Sequence, residues 1–139
     1  MKLRKLMHRG VRSVSPDTPV VEISRLMKSE DIGSVPVSDA EQLVGMITDR
    51  DIVLRVLGNG ADPTELKARD IMSKTIVYCR DDETVDEALR VMNKRKIRRL
   101  PVVDDHRRMV GIVSLGDISH LAGRKAAHKL VRSVSSPHV

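Results

Sequence analysis

One stretch of this chain is written twice. Residues 35–52, VPVSDAEQLVGMITDRDI, return as residues 100–118, LPVVDDHRRMVGIVSLGDI, with one extra residue in the second copy's turn. The pairs Pro36/Pro101, Val37/Val102, Asp39/Asp104, Val44/Val110, Gly45/Gly111, Thr48/Ser114, Asp51/Asp117 and Ile52/Ile118 keep one spacing. A repeat constrains architecture before any local reading does, because whatever the segment folds into must be built twice. Each copy opens a short apolar run with proline, passes a polar turn and resumes through a second apolar run containing glycine. It then ends on a hydroxyl residue three places before an aspartate. That order reads as strand, turn, strand and helix start.

The repeat reaches further upstream. RKLM at 4–7 matches RDIM at 69–72, and Val11 matches Ile76, each pair 65 residues apart. Each copy therefore begins with a short helical turn and a first strand, near Val11–Val14 and over Thr75–Cys79, where β-branched residues gather. Pro16-Asp-Thr-Pro19 and Asp81-Asp-Glu-Thr84 signal helix starts. Behind them Val20, Ile23, Leu26 and Met27, and in the second copy Val85, Ala88, Leu89 and Met92, fall on one helical face. After Asp51 the run IVLRVL is too apolar for a single stripe, and predicts a helix covered by its own strands and again by another subunit. Gly58-Asn-Gly60 offers left-handed positions to end it, and Asp62-Pro63 starts a linker helix. The matching stripe of the second copy is narrower, Ile118, Leu121 and Ala122, and continues weakly through Ala126, Ala127, Leu130 and Val131.

The expected class is α+β, two strand-helix-strand-strand-helix repeats packed about a pseudo-two-fold axis. The divisions are a first repeat at 1–61, a linker helix at 62–68, a second repeat at 69–123 and a helical extension and tail at 124–139. A unit of about 60 residues is marginal alone, so one joint core is expected.

Composition narrows the function. The net charge of +6 and a pI near 9.8 favour an anionic partner. Tyr78 is the only aromatic residue, which removes the stacking platforms of most single-stranded nucleic-acid binders. No apolar run approaches the roughly 20 residues of a membrane span, and no apolar export region follows the basic start. The single cysteine, Cys79, fits a buried strand thiol in a reducing cytoplasm. Enzyme chemistry has the least support. The five histidines, at 8, 106, 120, 128 and 138, lack metal-ligand spacing. No GxxxxGK[ST] run exists, and Cys79 has no neighbouring base, so neither catalytic residues nor a metal site are assigned.

Taken together, the IM-ending turn, the amphipathic helix, PVVD, VGIVS and the closing x-x-Asp resemble the CBS domain, and two in tandem resemble a Bateman module. The resemblance covers about residues 6–57 and 71–121. It implies a non-catalytic regulatory module that binds adenosine-containing ligands, such as AMP, ADP, ATP, NAD or S-adenosylmethionine, in clefts between paired repeats. It also implies a homodimer of four repeats arranged as a disc. With no room for a fused enzyme or channel, the module is expected to act on an effector protein in trans or as a stand-alone sensor.

On that resemblance Thr48 and Asp51, and Ser114 and Asp117, are the ribose contacts. The same spacing is close to a capping box, and the roles are compatible: a cap can form in the apo state and still face a cleft. The family pattern puts adenine against Gly10, Val11, Val35 and Pro36 at one site and against Thr75, Ile76, Leu100 and Pro101 at the other. Phosphate candidates are Arg9, Arg50, Lys74, Arg98 and Arg99. Arg98 and Arg99 alternate along a strand, so one should face inward. Their counterparts Gly33 and Ser34 are uncharged, so the two sites should differ. Gly116, at a helix start, suggests close approach by a ligand or a neighbouring chain. The rival readings are a dimerising structural module without ligand and a nucleic-acid binder using the Lys94–Arg99 and Arg124–Arg132 surfaces.

Overall fold

Each repeat is built outward from its hairpin. In the computed structural model, which describes residues 1–10 and 12–121, β1 (Ser34–Asp39) and β2 (Gln42–Thr48) pair antiparallel with Val37 opposite Gly45. In the second repeat β3 (Cys79–Arg80) runs parallel to β4 (Arg99–Val103), which pairs antiparallel with β5 (Met109–Ser114), Val102 opposite Gly111. Both hairpins carry a bulge just after that valine. Ala40 and Glu41 close the first hairpin with φ of 48° and 71°, a two-residue turn whose twist suits the strands it joins. The second turn absorbs its extra residue around Asp104, whose carboxylate accepts from the His106 and Arg108 backbone N–H groups, both at 2.9 Å.

The helices follow the apolar spacing. α1 (Val20–Glu30) buries Val20, Ile23 and Met27. The hairpin exit starts α2 (Asp49–Asp51), which continues as a π-helix over Ile52–Leu57. A one-turn α3 (Ala68–Ile71) follows a 3-10 turn at Pro63–Glu65 with proline at its first position. α4 (Val85–Arg95) buries Val85, Ala88 and Met92, and Thr84 caps it by accepting from Glu87 N–H at 3.2 Å. α5 (Leu115–Leu121) leaves the second hairpin. The mixed α+β class is therefore observed in both repeats.

Three expectations need correction, and one observation, the second below, adds to the repeat divisions. First, the strands at 11–14 and 75–79 are cut short: the first survives as a single parallel bridge between Val14 and Val37, the second as β3. Val14 donates to the Pro36 carbonyl at 3.0 Å and accepts from Ser38 at 2.9 Å. The next rung would need an N–H from Pro36, which has none, and Pro101 stands at the same place in the second repeat.

Second, the compact bodies are not cut where the repeats are. One consists of residues 12–76, and the other joins residues 1–10 to residues 77–121 of the described chain. Leu3 donates to Glu83 and Arg4 to Asp81, at 2.9 and 3.0 Å, while Ala68 donates to Thr18 at 2.8 Å and Val20 to Leu66 at 2.9 Å. Each repeat thus hands its opening turn to the body built on the other repeat's hairpin.

Third, there are two cores rather than one. Leu3, Leu6 and Met7 are at most 8% exposed and pack with Met92, Leu100, Val102 and Ile118. Ala68 and Ile71 complete a separate cluster with Val20, Ile23, Val35 and Ile47. Burying a side chain of this kind contributes about 1.5–3 kcal/mol, which is why so short a segment docks. Fourth, Gly58 is right-handed, φ −63°, and only Gly60 is left-handed, φ +67°. A Cβ at Gly58 would stand 2.7 Å from the Leu54 carbonyl, so close approach to the helix explains that glycine. Val11 and the extension at 124–139, with Ala122, Ala126, Ala127, Leu130 and Val131, lie outside the described residues.

Candidate functional site

The hydroxyl-x-x-aspartate motifs are capping boxes in both bodies. Thr48 N–H donates to Asp51 Oδ2 at 2.9 Å, and Asp51 N–H donates to Thr48 Oγ1 at 3.1 Å. Ser114 N–H and Asp117 Oδ2, and Asp117 N–H and Ser114 Oγ, repeat both bonds at the same distances. Each carboxylate so divides its oxygens: Oδ2 is held at the helix start, and Oδ1 faces something else. For Asp51 that is Arg55 Nε at 3.7 Å, beyond hydrogen-bond length. For Asp117 it is His8 Nε2 at 2.7 Å. Both acid side chains are 17% exposed. Burial alone raises the Asp117 pKa, but the bonds from Ser114 and the contact with His8 outweigh it and hold the group below the usual carboxylate value.

His8 was not singled out by the sequence, and the glycine opposite it explains its position. His8 N–H donates to the Ile112 carbonyl at 2.9 Å and its carbonyl accepts from Ile112 N–H at 3.1 Å. This brings the incoming chain so near β5 that a Cβ at Gly111 would lie 2.8 Å from Met7 Sδ and 2.9 Å from the His8 carbonyl oxygen. The other body repeats the arrangement: Ser73 exchanges bonds of 2.9 and 3.0 Å with Met46, and a Cβ at Gly45 would lie 2.6 Å from Met72 Sδ. The signal was available: residues 8 and 73 are 65 apart, like the other repeat pairs.

The adenine candidates divide between the two bodies. Gly10 (φ +71°) belongs with Leu100, Pro101, Ser114 and Asp117, while Thr75 and Ile76 belong with Val35, Pro36, Thr48 and Asp51. Val35 and Leu100 are fully buried in their cores, so their backbone, not their side chains, is available to a ligand.

Among the cations, Arg98 is exposed and Arg99 is half-buried, with Nε buried and unpartnered among the described residues. Arg9 is exposed and reaches back to the Arg4 carbonyl at 3.4 Å, and Lys74 and Arg50 are exposed. At the position of Leu115 the first repeat has Asp49, whose carboxylate would stand 3.0 Å from a Cβ at Gly33. The Asp117 body thus gathers Arg98, Arg99, Arg9 and His8, whereas the Asp51 body has an extra acid. A groove of about 500 Å³ beside α1, with Ser13, Ser15, Thr18 and Arg25 in its wall, contains none of these residues. Among the described residues no group of three or more His, Cys, Asp or Glu side chains is placed to hold a metal ion, and no helix is long and apolar enough to cross a membrane.

Two copies of one α+β unit, each leaving its hairpin on a capped aspartate, define a tandem-repeat module. The chain belongs to the CBS domain family, which matches residues 3–58 and 68–123. It is 35% identical over 135 residues to Hypoxic response protein 1 of Mycobacterium tuberculosis (strain H37Rv), covering 96% of this chain and 94% of that protein. The match to the uncharacterized protein MK0525 of Methanopyrus kandleri, 41% identical over 115 residues, takes in 82% of this chain but only 59% of the relative.

Similar solved structures include three that bear on the site. Hypoxic Response Protein I with two coordinated zinc ions has a TM-score of 0.77 at 35% identity, covering 86% of this chain and 98% of that one. CBSX2 in complex with AMP has 0.75 at 26%, covering 87% and 95%. The CBS domain pair of MJ0100 in complex with 5'-methylthioadenosine and S-adenosyl-L-methionine has 0.69 at 30%, covering 90% and 98%.

Proposed function

We propose that this chain is a non-catalytic sensor that binds an adenosine-containing ligand, of the AMP, ADP, ATP, NAD or S-adenosylmethionine class, through Asp51 and Asp117. The observation that carries the reading is the division of each carboxylate. Oδ2 is fixed at a helix start while Oδ1, among the described residues, meets only an exposed, replaceable side chain. An aspartate held in this way is oriented without being used up, and a ribose diol supplies the two hydroxyl donors that Oδ1 and its neighbouring lone pairs accept. Backbone groups among Gly10, Val11, Val35, Pro36, Thr75, Ile76, Leu100 and Pro101 read the base. Arg99, whose Nε is buried and unpartnered among the described residues, meets phosphate together with Arg98 and Arg9, with Lys74 and Arg50 in that role for Asp51. The AMP-bound and S-adenosylmethionine-bound relatives support the same ligand class.

The reading includes a homodimer joined through the exposed Val53, Leu54 and Leu57, an effector protein contacted in trans, and a cytoplasmic location in keeping with the free thiol of Cys79. Titration calorimetry with AMP, ATP, NAD and S-adenosylmethionine tests it. A saturable heat for at least one ligand, abolished at one of two sites by Asp117→Ala, is the expected result. A flat response to all four overturns it.

A further inference from the structure

The two bodies repeat both capping bonds of the aspartate but not the partner of its remaining oxygen. His8 and Ser73 occupy matching positions, each pinned to its hairpin by a reciprocal pair of backbone bonds. Ser73 Oγ donates to the Thr75 carbonyl at 3.3 Å, which keeps it on its own loop. His8 Nε2 instead lies 2.7 Å from Asp117 Oδ1, the oxygen left over by the cap.

We infer that His8 gates the Asp117 site: its imidazole stands where the first ribose hydroxyl must bind, so a nucleoside enters only after the ring has swung off. The inference rests on the nucleoside reading above. The geometry suits a gate in three respects. The His8 backbone cannot retreat, being held at 2.9 and 3.1 Å to Ile112. Its side chain is 69% exposed, so it leaves by rotating about its own torsions without repacking the core. The other oxygen of Asp117 is already engaged at the helix start, Oδ2 accepting from Ser114 N–H at 2.9 Å. Among the described residues the groups bonded to the carboxylate are Ser114, from the hairpin exit, and His8, from the incoming segment. Arg9, next along that segment, turns away to the Arg4 carbonyl.

The gate makes the two sites unequal. Among the described residues the only partner of Asp51 Oδ1 is Arg55 at 3.7 Å, too long to compete strongly with a hydroxyl, so that site stands open. At Asp117 the apparent affinity is lowered by the fraction of molecules whose imidazole is in place. An exposed pair of this strength holds the closed state by a factor of a few.

Exchanging the two residues tests the inference. With Asp51→Ala to silence the open site, His8→Ser should tighten AMP binding about two- to fivefold. The same substitution should leave 2',3'-dideoxy-AMP, which has no diol to present, unchanged. With Asp117→Ala, Ser73→His should weaken AMP binding by a similar factor. Melting temperatures of all variants establish that each is folded. If wild type binds AMP but His8→Ser leaves the affinity equal or lower, or helps the dideoxy analogue equally, the gate is overturned and the nucleoside reading stands. If AMP binds to neither wild type nor any variant, the nucleoside reading fails and the gate with it.

Discussion

Replacing Gly111 by alanine tests the most demanding contact in the fold, the passage of residues 7 and 8 across β5. The added Cβ would meet Met7 Sδ at 2.8 Å, Met7 Cγ at 2.9 Å and the His8 carbonyl oxygen at 2.9 Å. Met7 is 8% exposed within the core, so its tail has little room, and the His8 carbonyl is tied to Ile112 N–H. Overpacking of this kind costs about 1–3 kcal/mol. The stiffer unfolded chain of an alanine variant returns about 0.4–1 kcal/mol. The net loss is then about 1–2 kcal/mol, a fall in melting temperature of about 3–6 °C for a chain of this size.

Thermal and urea unfolding followed by circular dichroism measure it, and a cycle with Met7→Ala assigns it. Alanine at position 7 removes Sδ and Cγ but leaves the His8 oxygen, so the double variant should be less destabilised than the sum of the singles by roughly 1 kcal/mol. Gly45→Ala should cost less, since its backbone contact, Ser73 O, is at 3.1 Å and Met72 is only half-buried. A neutral or stabilised Gly111→Ala, or strict additivity with Met7→Ala, would refute the placement of the incoming segment on β5.

Other outcomes follow from single groups. Gly116→Ala should raise stability by up to about 1 kcal/mol, because its Cβ meets only Ser114 Oγ at an ordinary 3.6 Å; a loss in thermal unfolding would contradict this. Burial, with Glu83 nearby, pushes the Cys79 thiol up to about 12, so a thiol reagent at pH 8 should label it only after unfolding, and rapid labelling of the native chain would show it is exposed. Asp117 is held below its unfolded value of about 3.9. Its contribution is therefore complete above that pH and is lost as pH falls through the lower folded value. Asp117→Asn should accordingly flatten the acid limb of a stability-versus-pH curve below about pH 4. Leu54→Asp, on the exposed face with Val53 and Leu57, should convert the proposed dimer to monomer in analytical ultracentrifugation, and an unchanged sedimentation coefficient would remove that face from the interface.

The repeat itself, both amphipathic helices and both aspartate caps were legible in the sequence because each is local. A stripe needs only helical spacing, and a capping box needs only residues three apart, so Thr48/Asp51 and Ser114/Asp117 could be placed by counting. The shortened strands were legible too, had Pro36 and Pro101 been read as missing donors as well as turn markers. The destination of the opening turns was not. Leu3, Leu6 and Met7 announce that they are buried, but two nearly identical hairpins offer nearly identical apolar faces, and spacing along the chain does not choose between them. Only the folded chain decides that residues 1–10 lie on the second hairpin and residues 68–76 on the first. That choice brings His8 to Asp117 and leaves Ser73 short of Asp51, so two motifs written alike become two chemically different sites.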